Sequence, residues 1–246
     1  MKAPATSKNW SSPGHWRLNA REQYIFLLVG IGETVGSTVD KGPINALIAG
    51  FKGFRAINYE KQASSLLAKL AREGQSPKVL LIACSDSRVD PAILFSATPG
   101  ELFVVRVVAA LVPPYKPNAD FHGVSAALEF AIRDLEVEHV VVLGHAYCGG
   151  IRALKTMEDG VVQDREFIGP WVSMADQAVG SIPLSDPPCR HEQAAVRYST
   201  QNLLTFPWLK EKVDNGQIEL HSWWFDLDEG HLLADVPGEE DFVQLV

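Results

Sequence analysis

The 246-residue chain has little cysteine, no excess of basic charge and no long hydrophobic run, and each shortage removes a class of protein. Three cysteines, an odd number, do not make a disulfide framework. So few thiols in so long a chain fit a reducing compartment where they serve metals or catalysis, and the cytoplasm is the expected location. A formal net charge of -8, with no cluster of five or more Lys and Arg, leaves no footprint for a phosphate backbone, so nucleic acid is not an expected partner. The longest apolar run near the N-terminus, "YIFLLVGIG" at 24–32, is about half of the roughly 20 residues that a membrane-spanning helix needs. No membrane span is expected. The run would suit the apolar region of a signal peptide, but no clear small-residue cleavage site flanks it, and secretion is not expected. C-x-x-C is absent, which argues against a redox role.

What is present reads as one ordinary globular domain, 46% hydrophobic and 21% charged, long enough to bury a full core. Residues 1–42 mix Ser, Gly, Pro and Thr without periodicity and form an N-terminal arm; residues 43–246 are the folded domain. Helical spacing begins at "INALIAGFKGF" and returns in "ASSLLAKLARE" (63–73), "VSAALEFAIRDLE" (124–136) and "EQAAVRYSTQNLLTF" (192–206). Between these lie buried strands, "KVLLIA" (78–83), "ELFVVRVVA" (101–109) and "HVVVLG" (139–144). Two late β runs, 218–227 and 231–236, flank "DEG" and predict a hairpin. The alternation predicts an α/β fold, a mostly parallel central sheet flanked by helices.

In such sheets ligands collect beyond the carboxyl ends of the strands. Two clusters stand there. "CSDSR" places Cys84, Asp86 and Arg88 after the first strand; "GHAYCGG" places His145 and Cys148 after the third. Two thiolates and one imidazole are the ligand count of a catalytic zinc site with its fourth position open. Cys189, in "DPPCRHE", lies away from any strand end and reads as a free, partly buried thiol. Either cluster alone is a weak signal, because H-x-x-C arises by chance and a thiol after a strand is usually packing. Asp86 could coordinate the metal or accept a hydrogen bond from water on it, with Arg88 holding the carboxylate; a plain surface salt bridge is the bland alternative.

"CSDSRVDP" followed by "HAYCGG", with "GFKGF", "GQSPK", "PGELFVVR" and "HGVSAALEFAI", resembles the β-class carbonic anhydrases over about residues 43–236. The resemblance implies a parallel four-stranded sheet with an added antiparallel strand, and self-association as a dimer or tetramer whose interface builds the pocket. It implies one Zn2+ per chain on Cys84, His145 and Cys148, and Asp86 with Arg88 as an Asp/Arg gate. Gln75, Phe103 and Gly149 fall at the substrate pocket. The implied reaction is zinc-hydroxide attack on CO2 to give bicarbonate and a proton, rising toward alkaline pH because two thiolates make the bound water less acidic.

The sequence departs from the family pattern at Val107 and Ala110, where Asn is common, and at Phe130, where plant members carry Tyr. The lost amides leave backbone partners unsatisfied unless the neighbourhood has repacked as apolar. No Trp of the bicarbonate-inhibition type precedes "CSDSR", so Asp86 is expected to turn to Arg88. His122, His139, His191, His221 and His231 are each available as proton shuttles, and none is assigned. Two rival readings share the ligands: a hydrolase for carbon disulfide or carbonyl sulfide, and a non-catalytic zinc-stabilised interaction protein.

Overall fold

Two apolar runs fix the centre of the molecule. Val79–Ala83 (β1) and His139–His145 (β3) carry almost no polar alternation, the pattern of strands covered on both faces. The computed structural model describes residues 42–60, 65–118, 120–158 and 165–246. The arm expected over 1–42, Gly42 apart, and the apolar run at 24–32 lie outside the described residues. β1 pairs in parallel with β3 on one side and with Leu102–Arg106 (β2) on the other; β3 pairs in parallel with Glu219–Phe225 (β4). Leu232–Ala234 (β5) and Val243–Gln244 (β6) add antiparallel to that edge, giving the order β2-β1-β3-β4-β5-β6. The mostly parallel sheet and the late hairpin are those expected, with one extra strand. β6 has two residues, both exposed, too few to show a period.

β2 differs from its expectation. It ends at Arg106 rather than 109 and is only half-buried, because it is the edge strand of the sheet. The chain leaves it through a tight turn in which Ala109 and Ala110 take left-handed φ angles of 60° and 52°. Neither Gly nor Pro marks that turn.

Helices follow local chemistry. Pro43–Arg55 (α1) has proline at its first turn and Lys52 and Arg55 in its last, where the dipole favours cations. Leu66–Glu73 (α2) starts on Ser65, whose Oγ accepts from the Ala68 amide at 3.1 Å, and stops at Gly74, φ 85°. Asp90 caps the short Pro91–Leu94 (α3) by accepting from the Ala92 amide at 3.0 Å. Gly123–Glu129 (α4) continues as a π turn to Asp134. Gly149–Glu158 (α5), Ile168–Val172 (α6), Asp176–Val179 (α7), Pro188–Leu203 (α8) and Pro207–Asp214 (α9) complete the layers.

The period of two divides the sheet. Leu80, Ile82, Val140 and Val142 face a large core with Leu128, Ile132, Val196, Leu203, Phe206 and Leu209. Leu81, Ala83, Val141 and Leu143 face a thinner layer beneath Phe95, Trp223 and Phe225. Beyond the carboxyl ends of β1 and β3 a third cluster gathers Cys84, Cys148, Ala109, Ile151 and Leu154.

Candidate metal centre

Parallel pairing of β1 and β3 aligns Ala83 with Leu143, so the residues leaving both strands emerge side by side. Cys84 follows β1 at once, His145 is the last residue of β3, and Cys148 stands just before the first turn of α5. The turn between them is sharp: Tyr147 takes φ 58°, an uncommon conformation for an aromatic residue. Gly150 lets α5 approach the 108–110 turn, since a Cβ there would lie 2.8 Å from Val108 Cγ1 and 3.0 Å from Ala109 Cβ.

The three side chains converge. Cys84 Sγ and Cys148 Sγ are 4.0 Å apart, and the candidate ligand atoms of Cys84, His145 and Cys148 all lie within 4.8 Å of one another. Two thiolates held tetrahedrally at about 2.3 Å from one ion would be about 3.8 Å apart. His145 is 1% exposed; its Nδ1 lies 2.8 Å from the Ala146 carbonyl, which selects the tautomer with the proton on Nδ1. Its Nε2 lone pair is then buried without a hydrogen-bond partner. An orphaned imidazole nitrogen beside two free thiols fits a soft or borderline cation. The thiols press on each other: hydrogen bonding to Cys148 pulls Cys84 down despite its burial, while hydrogen bonding to Cys84 and then burial push Cys148 up.

At the rim, Asp86 and Arg88 form a two-point ion pair, Nε to Oδ1 at 2.9 Å and Nη2 to Oδ2 at 2.8 Å, and the Arg88 amide also donates to Oδ1 at 3.0 Å. The Arg88 guanidinium holds the Asp86 carboxyl well below the usual carboxylate range. Asp86 Oδ2 lies 4.0 Å from His145 Nε2, at the edge of the ligand triangle. Arg88 also donates to the Tyr147 carbonyl at 3.2 Å, tying the two loops together.

Two further residues hold the site and were not singled out in the sequence. Arg106, at the end of β2, donates to the carbonyls of Cys84 and Asp86 and, at 2.9 Å, to Asp90. Buried Glu192 on α8 accepts from the Cys148 amide at 3.0 Å and from Trp224 Nε1 at 3.2 Å, and burial pushes its carboxyl up. A signal for Glu192 exists: it opens the buried face 192, 195, 196, 199, 203 of α8, a carboxylate at the head of an otherwise uncharged stripe.

The other expected residues fall elsewhere. Gly149 is at the mouth, exposed, with open space around the position of a Cβ. Gln75 is exposed just after α2, at the opposite end of β1 from Cys84, about 17 Å of strand away. Phe103 pairs with Leu80 in the sheet and its ring meets Phe130 at 5.8 Å, on the large-core side. Within one chain these two do not join the Cys84 cluster. His139 and His221 lie toward the amino ends of β3 and β4, and His145 is six residues beyond His139, about 20 Å. Cys189, on the first turn of α8, is free and half-buried, as expected. Around Val107 and Ala110 the neighbourhood is apolar: Ala110 is fully buried, and Val107 and Val108 line a cleft of about 540 Å³ with Phe167, Ile168, Trp171 and Met174. Backbone groups of residues 108–112 are satisfied by Trp171 Nε1, which donates to the Val108 carbonyl, Ser199 Oγ, which accepts from the Val112 amide, and Asn202 Nδ2, which donates to the Val112 carbonyl.

Fold and site together define a class: a mostly parallel α/β protein with a Cys2His centre at its strand ends. A family model described as carbonic anhydrase matches residues 79–232. Beta carbonic anhydrase 3 of Arabidopsis thaliana is 35% identical over 195 residues, 76% of this chain and 74% of that protein. Beta carbonic anhydrase 5, chloroplastic, of the same plant is 42% identical over 161 residues; the match covers 63% of this chain and about half, 52%, of that protein. The solved β-carbonic anhydrase CcaA superposes with a TM-score of 0.73 at 28% identity, over 82% of this chain and 100% of that one. One of two tetrameric β-carbonic anhydrases from Sordaria macrospora gives 0.62 at 25% identity, over 77% and 93%. The chain belongs to the carbonic anhydrase family, in its β class, whose members are lyases.

Proposed function

We propose that this chain catalyses the reversible hydration of CO2 to bicarbonate and a proton, with one Zn2+ per chain held by Cys84, His145 and Cys148. The observation that carries the reading is the partnerless buried Nε2 of His145 within 4.8 Å of two free thiols. Zinc bound there supplies a Lewis acid that lowers the pKa of a coordinated water toward neutrality.

The chain's own residues do the rest. Asp86, ionised and acceptor-only, would accept a hydrogen bond from an oxygen held beside the ligand triangle and so orient it toward CO2. Arg88 keeps Asp86 in that role by occupying both carboxylate oxygens, so the carboxylate does not swing in as a fourth ligand. Arg106 and Glu192 hold the two loop backbones on which the ligands ride. Gln75, Phe103 and Gly149 line the substrate pocket, the first two across an interface between copies of the chain. Self-association as a dimer or tetramer is supported by the apolar stripe Ile44, Leu47, Ile48 and Phe51 on α1, all exposed in the single chain. Among the described residues no helix is long and apolar enough to cross a membrane. The free thiols favour a reducing location, the cytoplasm by composition; the relative named chloroplastic makes a plastid the other location to test.

Stopped-flow CO2 hydration at about pH 7 and about pH 8.5, with zinc quantified per chain, tests the reading. Fast turnover at one zinc per chain, rising with pH, is expected. One zinc per chain without turnover at either pH would overturn the enzyme reading.

A further inference from the structure

At the far end of the sheet from Cys84, three ligand-type side chains converge that the proposed reaction does not use. His139 opens β3 and Glu219 opens β4, and the parallel register sets them directly side by side. His221, two residues along β4, shares a face with Glu219 because strand side chains alternate. The three atoms form a closed triangle. His139 Nδ1 is 3.3 Å from Glu219 Oε2 and 3.3 Å from His221 Nε2, and His221 Nε2 is 3.8 Å from Glu219 Oε2. Ligands at about 2.0–2.2 Å from one tetrahedral or octahedral ion lie about 2.8–3.6 Å apart, so these edges are close to those of a ligand set already in place.

The surroundings favour binding. Two imidazole nitrogens and a carboxylate oxygen at these distances offer three lone pairs to one point, which a single shared N–H satisfies poorly and a cation satisfies well. The partners of Glu219 in ion pairing are these two histidines. Burial holds His221 below the ordinary histidine range, which favours its neutral, ligating form. Trp223 packs against the His221 ring, centroids 5.7 Å apart, and limits its rotation. Glu219 is 69% and His139 40% exposed, so further coordination positions face solvent. The ligands also sit on paired strands, which hold geometry better than loops.

The geometry points to a second metal site, His139–Glu219–His221, for a borderline divalent cation such as Zn2+, Ni2+ or Cu2+, at the opposite end of the sheet from the Cys84–His145–Cys148 centre. Two imidazoles and one carboxylate suit these ions rather than Mg2+ or Ca2+, which take all-oxygen sets. An ion there would clamp the starts of β3 and β4 and stabilise the folded chain by mass action.

Equilibrium dialysis of the zinc-loaded protein against graded Zn2+, with metal counted per chain, tests the site. The wild type is expected to take a second ion that the double variant H139N/H221N lacks, while that variant keeps the first ion and its CO2 hydration. Glu219→Gln, which preserves shape, is expected to weaken the second ion by at least the roughly 10- to 100-fold that loss of a supporting partner costs. Co2+ at the second site should add ligand-field bands without sulfur-to-metal charge transfer. Saturation of the wild type at one ion per chain would overturn the proposal, as would a second ion that persists in H139N/H221N and in Glu219→Gln.

Discussion

Arg88 decides what Asp86 can do. With both carboxylate oxygens on the guanidinium, Asp86 stays ionised and stays out of the ligand triangle. Its depressed folded pKa means that its contribution to stability is complete above the unfolded value of about 3.9 and is lost as pH falls through the folded value. Asp86 therefore does not titrate between about pH 6 and 9, and the expected rise of activity over that range comes from the metal centre. Arg88→Ala frees Asp86 to swing toward the metal. CO2 hydration should drop by about 10- to 100-fold with zinc content unchanged, and wild-type turnover in that variant would remove the gate. Glu192 acts one layer deeper. Glu192→Gln offers one acceptor oxygen to two donors, the Cys148 amide and Trp224 Nε1, leaving one buried group unpaired at a cost of about 1–3 kcal/mol. Zinc release to a chelator should quicken about 10-fold, and an unchanged release rate would deny Glu192 its positioning role.

At the scale of elements, the site depends on how closely helices approach the ends of strands. A Cβ at Gly144, next to His145, would lie 2.3 Å from Val196 Cγ2, a branched and buried side chain of α8 with no room to withdraw. Gly144→Ala should cost about 1–3 kcal/mol in urea unfolding and push α8, with Glu192, off the Cys148 loop. A variant as stable as the wild type would show that the α8 contact is soft. Not all elements were equally visible in the sequence. β1 and β3 were legible because strands buried on both faces are apolar without interruption. The apolar pattern of β2 runs three residues past its end at Arg106: an edge strand shows no boundary in its hydrophobicity, and Ala109 and Ala110 turn the chain without Gly or Pro. The short helices between 168 and 179 have too few turns to display a period.

At the scale of the whole molecule, the single chain separates residues that the proposed reaction brings together. Cys84 and Gln75 stand at opposite ends of β1, so a second copy must bring Gln75 and Phe103 to the metal if they line the pocket. Mixing two inactive variants tests this. Cys148→Ser lacks metal and Gln75→Ala lacks the pocket amide, and after unfolding and refolding together they should recover activity that neither has alone, through mixed dimers with one complete site. Failure to recover, with mixed dimers shown to form, would confine the pocket to one chain.

The candidate ligands could be read from the sequence because Cys84 directly follows one apolar strand while His145 closes another with Cys148 three residues on, so local pattern set all three near carboxyl ends, with Asp86 and Arg88 two residues apart. Periodicity reports the face on which a side chain lies; it does not report what stands opposite. Only the register of β1, β3 and β4 and the docking of α8 decided the rest. Those contacts bring Arg106 to the carbonyl of Cys84, Glu192 to the amide of Cys148, and Glu219 and His221 to His139, residues whose pairing no local energy encodes.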